Sequence, residues 1–109
     1  MKVHSEEMQQ RLGFIDRTIY HAMRACHSDT SVPKELKDYV LELGQRSSQA
    51  QRALQDRDER SVRESVDDLA RISYKAQNTI HPADPTNYEV KSAVILTHIE
   101  LSALRSQLD

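Results

Sequence analysis

A chain of 109 residues with two glycines, three prolines and many Ala, Leu, Arg, Gln, Glu, Asp and Ser residues suits one modest core and lacks the turn residues of a sheet protein. Its 15 lysines and arginines stand against 17 aspartates and glutamates, a net charge of -2, so no overall basic field draws it to nucleic acid or to an anionic membrane. The single cysteine, Cys26, excludes an internal disulfide, and the longest aliphatic run, Ala93 to Leu96, falls far short of the ~20 residues that span a bilayer. The expectation is one domain over residues 1–109, cytoplasmic, because Met1 to Gln10 is polar and acidic and lacks the apolar centre of a secretory signal.

Taken in chain order, apolar or small residues recur at spacings of three and four in four segments, the seam pattern of helices packed at a shallow angle. The first segment carries Met8, Leu12, Ile15, Ile19, Ala22 and Cys26. A polar stretch, Ser28 to Val32, breaks it, and Pro33, tolerated only in a first helical turn, sets the start of the second. That segment carries Leu36, Val40, Leu43, Ser47, Ala50 and Leu54.

The next break falls at Gln55 to Asp58, with a tight turn near Arg57 and Asp58 as N-cap; Ser61 with Glu64 is an alternative capping box one turn later. The third seam runs through Val62, Val66, Leu69, Ser73, Ala76 and Ile80. His81 to Asp84 ends it, and the fourth helix starts at Asp84 with Pro85 in first position, or at Thr86 with Glu89 closing a box. Its seam is Val90, Val94, Thr97, Leu101, Leu104 and Leu108.

Short links between long helices favour antiparallel neighbours, so the fold class is all-α, an antiparallel up-down-up-down four-helix bundle. Reading across it gives six layers: Cys26/Leu36/Ile80/Val90, Ala22/Val40/Ala76/Val94, Ile19/Leu43/Ser73/Thr97, Ile15/Ser47/Leu69/Leu101, Leu12/Ala50/Val66/Leu104 and Met8/Leu54/Val62/Leu108. Each layer has at least two large aliphatic side chains to interdigitate. A three-helix arrangement, or a helical hairpin completed by dimerisation, would use the same seams.

No seam position carries Asp, Glu, His, Lys or Arg, whereas a metal centre in a bundle core needs inward carboxylates and histidines. Ser47, Ser73 and Thr97 are expected to return their hydroxyl bonds to the backbone one turn earlier. Cys26, His27, His81 and Asp84 gather at one end without the paired spacing of a zinc site, and His4 and His98 show no chemical partner. No metal and no cofactor is expected.

Catalytic signals are missing too: the serines lie outside any strand-turn-helix elbow, Cys26 belongs to the core, and Gly13 and Gly44 sit singly within helices. Arg46, Arg52, Arg57, Arg60 and Arg63 gather around the second turn, but Asp56, Asp58, Glu59 and Glu64 are mixed among them. The reading is of a protein that is not an enzyme and binds neither nucleic acid nor membrane.

His21 stands outside the first seam in mid-helix, with Arg24 at plus three and Ala25 at plus four. This resembles histidine phosphotransfer domains, four-helix bundles of about this size with an exposed His, a Lys at plus three and a Gly at plus four. Here Arg and Ala occupy those two places, and the resemblance implies that His21 accepts a phosphoryl group neutralised by Arg24. Small helical adaptors and secretion chaperones are similar in size and acidity, with no motif here that identifies either.

The off-seam apolar residues carry the leading functional expectation. Phe14 and Tyr20 lie outside the first seam, and Tyr88, Ile95, Leu96 and Ile99 outside the fourth, so the fourth helix is apolar around most of its circumference. A second contact is implied for the face of the first and fourth helices, with Phe14, Tyr88, Ile95 and Ile99 as the interaction surface. The partner is a second copy, forming a homodimer, or another helical protein. The competing account is a wider intramolecular core with rotated helices.

Overall fold

A computed structural model describes residues 5–81 and 88–108. Four α-helices make up the fold: α1 (Ser5–Ser28), α2 (Lys34–Gln55), α3 (Glu59–Asn78) and α4 (Tyr88–Leu108). No strand occurs among the described residues. α1 packs on α2 and on α4, and α3 packs on the same two, so the four helices close a ring around one elongated core.

The ends of the helices have local causes. Asp29 accepts from the Ser31 amide at 2.8 Å and from its hydroxyl at 2.6 Å, turning the chain after α1. Pro33 occupies the N-cap of α2 with φ -59° and ψ 144°, a conformation its ring favours, and makes no side-chain cap. Val32, just before it, is buried and anchors the entry to the helix.

At the end of α2 the amide of Arg57 donates to the Leu54 carbonyl and that of Asp58 to the Ala53 carbonyl, both at 3.1 Å. These are the paired bonds of a Schellman cap. The residue in the left-handed position is Arg57, with φ 56°, where glycine is usual. Asp58 then opens α3: its side chain accepts from the Ser61 amide at 3.2 Å and from the Ser61 hydroxyl at 2.7 Å. Asp58, and not Ser61, is therefore the cap. The expected start of the fourth helix at Asp84 or Thr86 lies outside the described residues.

Of the seam residues, all but Leu54 and Ile80 are buried. Ile80 follows the last turn of α3, and at the end of α2 the buried position has rotated to Ala53; both exceptions still pack against the core. The two layers expected at the Cys26 end form one cluster with Ala22, Leu36, Val40, Ala76, Val90 and Val94. The layers beyond form a second, larger one around Leu12, Ile15, Leu69, Leu101 and Leu104. Ala70, Ile72 and Ala93 are buried as well, because a globular bundle buries a wider stripe than the two positions per heptad of a strict seam.

Two seam hydroxyls behave as expected: Thr97 donates to the Ala93 carbonyl at 2.7 Å and Ser73 to the Ala70 carbonyl at 2.8 Å. Ser47 does not. Its hydroxyl donates across the α1–α2 boundary to Asp16 at 2.7 Å, because the half-buried carboxylate is the stronger acceptor. His98 also has a partner: its Nδ1 lies 3.2 Å from Ser73 Oγ. A hydroxyl has one proton, and when Ser73 gives it to Ala70, Nδ1–H must be the donor of that second bond.

Candidate interaction surface

α3 and α4 lie side by side and treat their outer faces differently. That of α3 is charged and largely self-satisfied: Arg60 pairs with Glu64 at 3.2 Å, Arg71 with Asp67 at 3.7 Å and also with Asp68. Arg105 of α4 closes on Asp67 at 3.0 Å. The outer face of α4 instead presents Tyr88 at 81 %, Ile99 at 55 %, Ile95 at 40 % and Leu96 at 38 % exposure. Rotation of the helices into a wider core has not absorbed them.

Two of the four residues expected to form one surface, Phe14 and Tyr88, line a groove of about 390 Å3 between α1 and α4, with Arg17, Thr18, His21, Glu89, Ser92, Ala93 and Leu96. Ile95 and Ile99 stand outside that lining. At 3.6 residues per turn Tyr88 falls within about 20° of both Ile95 and Ile99, and Leu96 about 60° from Ile99, so these residues adjoin on one outer face of α4. His98 touches α3, its ring centroid 5.7 Å from that of Tyr74.

Tyr74, 56 % exposed on α3 beside His98, is a further exposed aromatic residue that the sequence reading passed over. The available signal was an aromatic residue beside a seam serine on a helix whose other outward positions are mostly charged. Leu41, 53 % exposed on α2, stands elsewhere, at the edge of a small cleft of about 170 Å3 with Met23, Cys26, His27, Lys37 and Val40.

His21 is well exposed, and its Nε2 lies 3.9 Å from a Glu89 carboxylate oxygen that is equally open to solvent, a contact that water screens heavily. Arg17 shares the groove, and Arg24 follows one turn along α1 with its guanidinium 6.0 Å from the centre of the Tyr20 ring. Cys26 is 5 % exposed. Burial pushes its thiol above the usual range, a push that Lys37 opposes and Asp29 reinforces, so the sulfur stays protonated and unreactive at neutral pH.

Among the described residues no group of three or more His, Cys, Asp or Glu is arranged to hold a metal ion. His27 and His81 are both exposed, and Asp84 lies outside the described residues. No described helix is long and apolar enough to cross a membrane. Comparison with known protein families, with curated proteins and with solved structures finds no match to this chain.

Proposed function

We propose that this chain is a non-enzymatic helical interaction module, a single up-down-up-down bundle that self-associates through the outer side of α4. The observation that carries the reading is the exposure of Tyr88, Ile95, Leu96 and Ile99 on one helix whose opposite side is fully buried. Leaving such side chains in water costs about 25 cal/mol per Å2 of apolar surface, which a second copy removes by pairing. The antiparallel direction is supported by opposite-running contacts: Arg11 meets Gln107 while His21 meets Glu89, and Asp67 meets Arg105 while Ser73 meets His98.

The simplest closed arrangement is a twofold dimer in which α4 meets its own copy, with Phe14 at the rim. Light scattering on the wild type should give the dimer mass. Ile95→Glu with Ile99→Glu should give the monomer mass at unchanged helical content. A wild type that is monomeric at about 100 μM overturns the self-association.

A second reading makes His21 a phosphoacceptor. Its exposure, with Arg17 in the same groove and Arg24 one turn away, supports it; the Glu89 carboxylate near Nε2 opposes a phosphoryl group on that nitrogen by like-charge repulsion. Incubation with a phosphodonor kinase would yield an acid-labile, base-stable adduct that His21→Gln abolishes. Absence of any such adduct removes this reading.

A further inference from the structure

The two glycines of the chain both lie inside helices, in different surroundings. A methyl group on Gly44 would come within 2.8 Å of the Met23 sulfur, so that glycine makes room for a neighbour. A methyl group on Gly13 would meet only the Arg17 guanidinium, at 3.8 Å, an ordinary contact. Packing therefore gives no reason for a residue that weakens a helix interior. Arg57 breaks a second local rule: it holds the left-handed position of the Schellman cap, at φ 56°, where glycine would carry no strain.

Gly13 and Arg57 line the same cleft. It lies between α1 and the end of α2, measures about 330 Å3, and takes Gln9 and Leu12 from α1 and Gln51, Leu54 and Gln55 from α2. Leu12 is buried and Leu54 half-buried, an apolar floor beside the bare backbone of Gly13. Among the described residues of the lining Arg57 is the one charged side chain, so no carboxylate opposes it there. The three glutamine amides can both donate and accept hydrogen bonds. Two residues that weaken the fold locally, with no return in packing, thus meet at one polar-walled cleft, and such costs are retained where a site needs them.

We infer that this cleft binds a small organic carboxylate that also carries an amide and a short aliphatic group. The carboxylate meets Arg57, the amide meets the glutamines, and the aliphatic group lies over Leu12, Leu54 and Gly13. None of these residues belongs to the outer face of α4, so the site goes beyond the reading of an interaction module and stands independently of it.

The test titrates the full chain with N-acetyl-L-leucine and with its neutral counterpart, N-acetyl-L-leucinamide, reading backbone amide shifts by NMR. The acid should perturb residues 9–13 and 51–57 saturably, with a Kd in the low-millimolar range, and bind at least about fivefold more tightly than the amide. Gly13→Ala and Arg57→Gly should each raise the melting temperature by about 2 to 5 °C while weakening that binding at least about fivefold. Arg57→Gly should also erase the preference for the acid. A protein made more stable cannot lose binding through misfolding. Equal binding of the two compounds, shifts centred elsewhere, no saturable shift at about 20 mM, or either variant binding as the wild type does overturns the inference. So does a Gly13→Ala protein that melts lower, which would return the glycine to packing. An acetylated six-residue peptide ending in the same leucine should bind no more tightly than the free acid; a gain of about tenfold would make a chain end the occupant and overturn the small-molecule assignment.

Discussion

α3 and α4 bury comparable faces and differ on the outside. Leu69 of α3 and Leu101 of α4 are both fully enclosed, and both helices give a hydroxyl residue to the same central layer. Outward, α3 shows Glu59, Arg60, Arg63, Glu64, Arg71 and Lys75 with Tyr74 and Asn78, while α4 shows Tyr88, Ile95, Leu96 and Ile99 in its first half, beside Glu89, and Ser102, Ala103, Arg105, Ser106 and Gln107 in its last turns. The buried faces specify the fold and say nothing of purpose; the contrast between the outer faces is where function can be sought.

The equality of the inner faces can be broken most directly with cavities. Leu69→Ala and Leu101→Ala should each destabilise by about 2 to 5 kcal/mol in chemical denaturation. A loss below about 0.5 kcal/mol at either position would mean that its helix is not packed as described.

A smaller effect sharpens the comparison within the central layer. Ser73 serves its own helix and His98 of α4, whereas among the described residues Thr97 bonds to the Ala93 carbonyl of its own helix. Ser73→Ala should therefore cost on the order of 1 kcal/mol, more than Thr97→Val, because it also strips an interhelical partner from His98. Equal losses would remove His98 from the account of how α3 and α4 are joined.

The least effect concerns the start of α3. Hydrogen bonds from Ser61 hold the Asp58 carboxyl below its ordinary range, so the ionised cap stabilises the fold above the ordinary aspartate range. That contribution fades as pH falls through the depressed native value. Asp58→Asn keeps a capping oxygen and should flatten this acid limb of the stability profile, measured by thermal melts between about pH 2 and pH 6. An unchanged acid limb would show that other carboxylates set it.

Much of the fold was legible because packing at a shallow angle writes a regular spacing of apolar residues into each helix, and Asp58 and Pro33 mark boundaries by their own stereochemistry. Val32, Ala53, Ala70, Ile72 and Ala93 escaped because small or off-register residues become buried only when a particular neighbour arrives. The outer surface was legible in kind and less so in arrangement. Sequence marks Phe14, Ile95 and Ile99 as apolar and outside the seam, but which residues line the groove beside α1, and that Tyr74 meets His98, depend on how the neighbouring helices pack.

The turn at Arg57 and Asp58 has a consequence for how this sequence can change. Asp58 supplies the amide that closes the end of α2 and the carboxylate that opens α3, so the two helices share a residue with no slack between them. Inserting or deleting one residue there would turn every side chain of α3 by about 100° relative to α2, carrying Leu69 out of the core and charged neighbours into it. The α2–α3 junction thus acts as a reading frame for packing, and changes of length in this chain should be confined to its other connections.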